Sequence, residues 1–382
     1  MNLRLAMTFV SSLLLPLAAW AADDQAALRG AVDGAIRPLM AEHDVPGMAV
    51  AVIVDGKPVY FNYGVASREK NTPVSETTLF EIGSISKTFT GTLATYAQAL
   101  GKLSLHDHPG KFMAQLKGTA IDRASLLNLG TYTAGGLPLQ FPDDVDNAGM
   151  SSYFGQWKPE AAPGTQRRYS NPSIGLLGHV TALALKSDFA HALETQLFPK
   201  LGLHHTYVRV PEQAMAHYAW GYAKENKPIR MNGGVLAFEG YGVKSTAADL
   251  IRFVQANIDP SRLDKPMQRA VLGTHVGHFQ VGQMLQGLGW EQYPYPVSLA
   301  RLQAGNASGM IWEANAARQV APPALPGPAL LNKTGSTFGF GAYVAFVPER
   351  KIGIVMLANR NYPIAARIKA AHAILEQLAV TR

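Results

Sequence analysis

β-Rich runs near both ends of the sequence are the feature that most constrains the fold. Near the N-terminus, PGMAVAVIVDGKPVYFNYGVAS places two such runs on either side of Asp55-Gly56, a strong hairpin turn signal. Near the C-terminus, FGAYVAFVP and KIGIVMLAN are joined by the turn Pro348-Glu349-Arg350. The expected arrangement is therefore one sheet built from both ends of the chain.

Apolar residues at helical spacing predict a helix over residues 26–43, and an amphipathic stretch over 364–378 predicts another. Both are expected to pack on the sheet. With 382 residues and 47% hydrophobic composition, the chain is long enough for two structural units. We predict a sheet domain from 22–100 with 310–382, and a mostly helical domain with additional loops and short strands over 101–309.

The first 21 residues predict a secretory signal peptide. Arg4 supplies a positive charge, residues 5–20 are mostly apolar, and Ala19-Trp20-Ala21 fits a small-x-small cleavage site. The apolar run is short for a membrane span of ~20 residues, although an uncleaved anchor is the alternative. Because the sequence has no cysteine, disulfides and thiolate metal sites are excluded, which is compatible with a bacterial periplasm.

The charge pattern counts against a nucleic-acid partner. The net charge is +7, but basic residues are scattered, and Arg167-Arg168 is the longest pair. No basic stripe with interleaved aromatics is present. The net positive charge either favours the binding of small anionic substrates or only keeps the protein soluble.

Histidine clusters do not have the spacing of a metal site. They occur at 106–108, 204–205 and 275/278, without an H-E-x-x-H motif. Hydrolytic zinc sites usually need three placed protein ligands. We therefore predict neither a metal nor a cofactor, and the sequence also has no G-x-S-x-G elbow and no phosphate loop.

The stretch EIGSISKTFTG places Lys87 three residues after Ser84 in an otherwise apolar segment. Three apart on a helix, the two side chains share a face, and Ser84 would lie at the helix N-terminus, where free N–H groups can bind a developing anion. A lysine in a dry site has a lowered pKa and can take a proton from a serine. Chance alone supplies about one S-x-x-K in such a chain; the second match, Ser67 to Lys70, lies in a polar stretch that indicates a loop.

Tyr169 and Asn171, in RRYSNPSIG, are the second candidate pair. A tyrosine near two ammonium groups has its pKa pulled below about 10 and can act as a base. An asparagine side chain can donate to one group and accept from another. The alternatives are a turn before a helix, since Asn-Pro favours turns, and a second Y-x-N match at Tyr60 and Asn62.

Lys333, Thr334, Gly335 and Ser336 form the third element, just before a β-rich run. A lysine and a hydroxyl at a strand edge can hold a carboxylate, and glycine lets a ligand approach the backbone. The Ser336 N–H is a candidate oxyanion donor beside that of Ser84. The alternative is an ordinary exposed strand start.

The ordered set S-x-x-K, Y-x-N and K-T-G resembles the penicillin-recognising serine enzymes. The chain is most similar to a class C β-lactamase, a cephalosporinase, from its first helix to its last. The similar segments include PGMAVAV, FNYGVAS, TLFEIGSISKTFTG, TYTAGGLPLQFPD, YSNPSIGLLGH, LGLHHTYVRVPE, GYGVKSTAADL, QGLGWE, NKTGSTFGFGAYVAFVPE and VMLANRNYP.

This resemblance implies an α/β fold of the α+β type, with an antiparallel sheet flanked by helices, a mostly helical domain, and the active site between them. It implies catalytic roles for four side chains: Ser84 as the acylated nucleophile, Lys87 as its neighbour, Tyr169 as a base, and Lys333. Whether Lys87 or Tyr169 takes the first proton stays open.

The resemblance also implies a set of substrate-binding residues. Gln140 and Asn171 would bind the substrate's side-chain amide, and Tyr241 would line the side-chain pocket. The remaining residues would hold the carboxylate region or form the nearby backbone: Lys333, Thr334, Gly335, Ser336, Asn361 and, further back, Arg367.

Four residues depart from the family pattern: Asn128 and Gly130, where only a structural effect is expected, and Phe338 and Ile364 near the expected site. Phe338 stands where a small or polar residue is usual, so its ring is expected to reshape the side-chain pocket. Ile364 follows Tyr-Pro where Asn is frequent, so one polar contact on the carboxylate side is expected to be missing.

The function predicted from the sequence is hydrolysis of β-lactams, with cephalosporins preferred, conferring β-lactam resistance. The expected enzyme is a monomer with a small-molecule substrate and no membrane partner after signal cleavage. A D,D-peptidase or esterase of the same fold, or a penicillin sensor without turnover, is the alternative, because fold does not fix function.

Overall fold

The computed structural model describes residues 15–54, 56–324 and 327–380. The strands, in chain order, are β1 (Gly47–Val54), β2 (Lys57–Ser67), β3 (Thr72–Pro73), β4 (Phe80–Glu81), β5 (Gln166–Arg168), β6 (Gly221–Tyr222), β7 (Pro228–Ile229), β8 (Lys244–Ser245), β9 (Gly277–Val281), β10 (Met284–Gln286), β11 (Glu291–Pro294), β12 (Ala314–Ala316), β13 (Arg318–Ala324), β14 (Ala329–Ser336), β15 (Gly341–Val347) and β16 (Ile352–Ala358).

The α-helices, in chain order, are α1 (Leu15–Glu42), α2 (Ser86–Ala99), α3 (Leu126–Gly130), α4 (Met150–Gln156), α5 (Asn171–Ala184), α6 (Phe189–Ala192), α7 (Phe198–Lys200), α8 (Ala237–Gly240), α9 (Ala247–Ile258), α10 (Lys265–Thr274), α11 (Leu299–Ala304), α12 (Ser308–Trp312) and α13 (Ile364–Val380). A π-helical stretch covers Leu193–Leu197. Short 3₁₀ helices cover Gly83–Ile85, Pro109–Lys111, Ala114–Leu116, Ile121–Arg123, Glu212–His217, Lys224–Asn226, Pro260–Arg262 and Pro348–Arg350.

One ten-stranded antiparallel sheet organises the described chain, in the order β13-β9-β10-β11-β14-β15-β16-β1-β2-β3. Its centre joins the two ends of the sequence, because β16 pairs with β1 from Ile53↔Gly353 to Met48↔Ala358. The predicted sheet from both ends is confirmed, as is the predicted fold class. The hairpin of β1 and β2 has its predicted turn at Gly56, which has φ +73°, while Asp55 lies outside the described residues.

Both faces of the sheet are buried, which explains the nearly continuous apolar sequence of β1. Met48, Val50 and Val52 face one hydrophobic core, together with residues of α1 and α13, while the alternate residues of the strand face the other. On that second face α9 packs against β1 and β16, and α2 contacts α5, α8 and α10. The helix α2 is therefore held between the sheet and the helical part of the molecule.

The sheet extends further into the sequence than predicted. Strands β9, β10 and β11 lie within 101–309, the segment assigned to the helical domain, and they pair in the sheet beside β14. They are short and carry polar residues, so they give little periodic signal. The domain boundaries at 100/101 and 309/310 stay a prediction, and three of the strands within 101–309 pair in the main sheet.

The N-terminal predictions fall mainly outside the described residues. The predicted signal peptide covers residues 1–21, and the description begins at Leu15, the first residue of α1. Location in the periplasm stays a prediction. None of the helices in the described part of the chain combines the length and apolar character that a membrane crossing requires.

Asn359, just after β16, connects three backbone segments, and its replacement is expected to destabilise the fold. Its Oδ1 accepts the Gly47 N–H at 2.8 Å, while its Nδ2 donates to the carbonyls of Val65 and Trp220 at 3.0 and 3.1 Å. The side chain is fully buried. Asn359→Ala leaves buried groups unpaired, so we expect a loss of about 2–4 kcal/mol in the free energy of unfolding, measured by urea titration.

Asn62→Ala in β2 is the control. Its amide donates at 3.0 Å to Glu76 at the surface, so its unfolding free energy should stay within about 0.5 kcal/mol of the parent. Equal losses in the two variants would contradict the structural role given to Asn359.

Candidate active site

The segment that carries Ser84 turns sharply from strand β4 into helix α2. Gly83 has φ +52°, a conformation that favours glycine, and the 3₁₀ turn of Gly83–Ile85 leads directly into the helix. Ser84 therefore lies at the helix N-terminus, as predicted. From the first turn of α2, Lys87 donates from Nζ to Ser84 Oγ at 2.9 Å and to the carbonyl oxygen of Gly240 at 2.7 Å.

Lys87 is completely buried, which changes its acid–base behaviour. Burial lowers the pKa of Lys87 to about 8; Tyr169 opposes this effect, while the neighbouring Lys333 ammonium adds to it. A lysine with this pKa can both donate and accept a proton near neutral pH, and it lies in hydrogen-bonding contact with a serine hydroxyl.

Tyr169 lies between two ammonium groups. Its ring centroid is 5.1 Å from Lys87 Nζ and 5.0 Å from Lys333 Nζ. Burial alone would raise the pKa of Tyr169, but Lys333 and Lys87 outweigh it, with help from the Ser84 hydroxyl, and lower the pKa to about 8. The phenolic oxygen is buried and makes no hydrogen bond of standard length and angle with the described residues.

Lys333 on β14 is held as a cation. Its Nζ lies 3.4 Å from Glu291 Oε1, and both side chains are buried. Burial acts to lower the pKa of Lys333, but the carboxylate of Glu291 and the phenol of Tyr169 outweigh it, so the pKa is raised. The site therefore contains a lysine with a lowered pKa, Lys87, and another that stays protonated.

The end of β14 packs directly on the turn that carries Ser84. A Cβ added to Gly335 would lie 1.9 Å from the carbonyl oxygen of Ile82, and one added to Gly83 would lie 2.4 Å from the Ser336 nitrogen. Only glycine fits at either position. This close contact brings the backbone N–H groups of Ser84 and Ser336 into one region of the molecule.

Asn171 lies at the start of α5, beside α8, the helix that ends just before Tyr241. Its amide oxygen is near Gly240: a Cβ added to that glycine would lie 3.5 Å from this oxygen. Its backbone N–H donates to the Leu139 carbonyl at 2.9 Å, next to Gln140. The Asn171 amide is almost fully buried, whereas Gln140 is exposed and its side chain makes no hydrogen bond within the described residues. Tyr241 follows Gly240 and is partly buried.

Arg367 connects the far side of β14 to Asn361. Its guanidinium is buried and donates to the Gly335 carbonyl at 2.7 Å, to Ser336 Oγ at 3.0 Å and to Asn361 Oδ1 at 2.6 Å. Arg367 thus supports the end of the strand from behind. Thr334 lies within the same strand and is almost fully buried.

The other sequence matches lie elsewhere. Ser67 is the last residue of β2 and accepts from the Lys70 N–H in the following turn, and Tyr60 and Asn62 lie within β2. Phe338, in the turn between β14 and β15, is 83% exposed. Among the described residues, His, Asp and Glu side chains nowhere form a group of three that could hold a metal.

Sequence analysis gave no role to four groups that the structure places at the site: Glu291, Arg167, Tyr132 and the Gly240 carbonyl. The sequence signal for Glu291 and Arg167 was a charged residue close to apolar or aromatic neighbours. Glu291 follows Leu-Gly-Trp, and Arg167 lies two residues before Tyr169. Partners so distant in sequence could not be inferred from that signal.

The chain is similar to known proteins along most of its length. A family model described as Beta-lactamase matches residues 32–379. A β-lactamase of Pseudomonas fluorescens is 54% identical over 353 residues, which cover 92% of this chain and 99% of the relative.

Solved structures agree. A β-lactamase/D-alanine carboxypeptidase from Pseudomonas syringae has a TM-score of 0.90 at 49% identity, covering 92% of this chain and 99% of that one. A class C β-lactamase in complex with cefoxitin has a TM-score of 0.90 at 47% identity, covering 93% and 99%.

Gly335→Ala is expected to separate β14 from the Ser84 turn. Because the new Cβ would lie 1.9 Å from a backbone oxygen, the strand must move. We expect a loss of about 1–3 kcal/mol in the free energy of unfolding, as for other overpacked sites, measured by urea titration.

Gly155→Ala in α4 is the matched control, because nothing lies within 4 Å of its added Cβ. In this helix the substitution should stabilise the protein by up to about 1 kcal/mol. A Gly335→Ala protein as stable as the parent would show that the strand can shift without cost.

Proposed function

The chain belongs to the β-lactamase family, as a class C enzyme, and we propose that it opens the β-lactam ring through an acyl-enzyme on Ser84, with cephalosporins as preferred substrates. The observation that carries the proposal is the contact of Lys87 Nζ with Ser84 Oγ at 2.9 Å, beside a tyrosine held between two ammonium groups. These groups supply a nucleophile and two proton acceptors within one buried cluster.

In the acylation step, Ser84 Oγ attacks the β-lactam carbonyl carbon and gives its proton to Lys87 or Tyr169. The C–N bond of the ring then breaks, and the nitrogen takes up a proton from the same pair. The pKa values of both groups are lowered to about 8. Near neutral pH, either group can therefore accept a proton and return it without a large energetic penalty.

In the deacylation step, water attacks the ester carbon while Tyr169 takes a proton from it. The bond to Ser84 Oγ breaks, and the oxygen recovers a proton from the site. The backbone N–H groups of Ser84 and Ser336 are the proposed oxyanion donors, supported by the close approach at Gly83 and Gly335. Removing one such donor typically costs a hundredfold to a thousandfold in rate.

Substrate binding is proposed to follow the family pattern. Lys333, Thr334 and Asn361 hold the substrate carboxylate, with Arg367 bracing the strand behind them. On the other side, Gln140 and Asn171 bind the side-chain amide, and Tyr241 lines the pocket. The exposed amide of Gln140 and the unpaired oxygen of Asn171 leave hydrogen-bonding capacity for a ligand.

D-alanine carboxypeptidase activity is the second candidate function. It is favoured by the structural neighbour from Pseudomonas syringae that is described as a β-lactamase/D-alanine carboxypeptidase. The same serine, lysine and tyrosine would act on a peptide carbonyl. Turnover of a chromogenic cephalosporin supports the first function, release of D-alanine from a D-Ala-D-Ala peptide supports the second, and one equivalent of colour without turnover would indicate a sensor.

Ser84→Ala should abolish acylation, because it removes the serine hydroxyl that accepts a hydrogen bond from Lys87 Nζ at 2.9 Å. The parent protein is expected to gain the mass of a slowly released β-lactam, whereas the variant shows no mass shift and no cephalosporin turnover. Ser67→Ala, at the other S-x-x-K match, should behave as the parent. A mass shift that persists in Ser84→Ala would place the nucleophile elsewhere.

Phe338→Gly should change substrate selectivity. The ring is 83% exposed and lies two residues beyond Ser336, so it can contact a substrate side chain at the edge of the site. We expect the ratio of kcat/KM for bulky over small cephalosporins to change at least ~threefold, because one methylene in an enclosed pocket is worth about 10–200-fold and an exposed ring contributes less. An unchanged ratio would show that the ring points away from bound substrate.

A further inference from the structure

A buried carboxylate that the mechanism does not use lies directly behind two of the three cations around Tyr169. Glu291, on β11, is 4% exposed. Its Oε1 is 3.4 Å from Lys333 Nζ and 3.4 Å from a terminal nitrogen of Arg167. The two cations come from β14 and β5, so this one oxygen connects three strands.

Arg167 is fixed by its other donors. Its Nε donates to Gln286 Oε1 and its Nη1 to the Met310 carbonyl, both at 2.7 Å. The guanidinium lies 5.3 Å from the ring centroids of Tyr132 and Tyr169. These two rings are 4.8 Å apart, so Arg167 faces both.

Tyr169 is thus surrounded by three cations: Lys87, Lys333 and Arg167. Two of them contact the carboxylate of Glu291, and none of the three is more than 2% exposed. A buried ion pair of this kind often adds little net stability, because desolvation offsets the attraction between the charges. Because these charges surround a catalytic phenol, stability alone does not explain why they are there.

We propose that Glu291 is a positioning residue of the active site: its carboxylate holds the Lys333 ammonium and the Arg167 guanidinium against Tyr169 and sets the net charge that the phenol experiences. The inference rests on the proposed function only in taking Tyr169 as the base. It assigns Glu291 no contact with substrate.

The direction of the charge effect follows from the groups that face Glu291. These groups are Lys87 on α2, Tyr132 after α3, Arg167 on β5, Tyr169 before α5, Tyr293 on β11, Lys333 on β14 and Tyr343 on β15. Burial raises the pKa of Tyr132, Tyr293 and Tyr343, so these three phenols stay neutral near pH 7. The response to a change at Glu291 is therefore confined to Tyr169 and the two lysines.

Removing the negative charge lowers the pKa of all three responsive groups. The carboxylate acts to raise the pKa of Lys87, Lys333 and Tyr169, although burial outweighs it for Lys87 and the two lysines outweigh it for Tyr169. The active form pairs a deprotonated Tyr169 with a protonated Lys333. Both limbs of the pH profile should then move to lower pH when the charge is lost.

Glu291→Gln tests this, because the amide keeps the shape of the side chain and removes its charge. In kcat/KM profiles with a chromogenic cephalosporin, we expect both limbs to move toward acid by about one pH unit or more. Glu291→Asp should move them in the same direction by less, because a shorter carboxylate holds the two cations less closely. If Glu291→Gln does not fold, the shift of the kcat/KM pH profile in Glu291→Asp tests the proposal instead.

Asp249→Asn is the control for lost stability. Asp249 is also a buried carboxylate paired with an arginine, Arg252 at 3.0 Å, but it lies on α9 away from the site. The Asp249→Asn variant should have a lower unfolding temperature, with both limbs of its kcat/KM pH profile unchanged. Limbs that stay in place in the Glu291 variants, together with an unchanged titration midpoint of the Tyr169 phenol, would overturn the proposal and leave Glu291 a structural ion pair.

A direct titration separates this inference from the proposed function. Protein labelled with ¹³C at tyrosine Cζ, with the Tyr169 signal assigned through Tyr169→Phe, reports the pKa of that phenol without any substrate. A lower titration midpoint in Glu291→Gln supports the inference even if the activity profile does not follow, in which case Tyr169 is not the base. An unchanged midpoint in the folded variant overturns the inference whatever the activity does.

Discussion

The desolvation of Lys87 is the constraint on which the rest of the site depends. An ammonium that is completely buried loses its water shell, and it must find acceptors within the protein or lose its proton. Here the acceptors are Ser84 Oγ, just before α2, and the carbonyl of Gly240, the last residue of α8. The lysine therefore joins Ser84 to α8, and one buried charge makes both contacts.

Those contacts require a rigid support, and the sheet provides it. Because both faces of β1 and β16 are buried, the central strands are held by two cores, and β14 is held with them through β15. The end of β14 can then approach the Ser84 turn closely enough that only glycine fits at Gly83 and Gly335. The rigid attachment of β14 to the sheet fixes the position of Lys333 relative to Tyr169.

Sequence alone predicted the parts of this arrangement that have local signals. The terminal hairpins follow from β-rich runs and a turn, and Ser84 with Lys87 follows from helical spacing of three. The strands β9–β11 are only three to five residues long and carry polar side chains, so no period identifies them. The resemblance to the family predicted that Ser84, Tyr169 and Lys333 lie close together in space. Local sequence patterns could not predict this, because the three residues are far apart in the chain.

The partners of Glu291 lay beyond the reach of such patterns. Glu291 is separated from Arg167 by 124 positions and from Lys333 by 42. The contact with Lys333 follows from the pairing of β11 with β14, in the register that places Glu291 opposite Asn332, whereas Arg167 comes from β5, outside this sheet. A lone acidic residue after Leu-Gly-Trp has the same sequence signature whether it faces solvent or two cations.

Charge balance connects the buried cluster to the kind of substrate it suits. With Lys87, Lys333 and Arg167 protonated, the cluster carries three positive charges against the single negative charge of Glu291. A Tyr169 phenolate compensates one of the remaining two, and the carboxylate of a β-lactam or of a terminal D-alanine would compensate the other. Binding such a substrate lessens the pull of the cations on the phenolate, so its affinity for a proton increases as the substrate arrives. The base would then be strongest when the carbonyl that it helps to attack is in place, whereas an uncharged ester would bring no such gain.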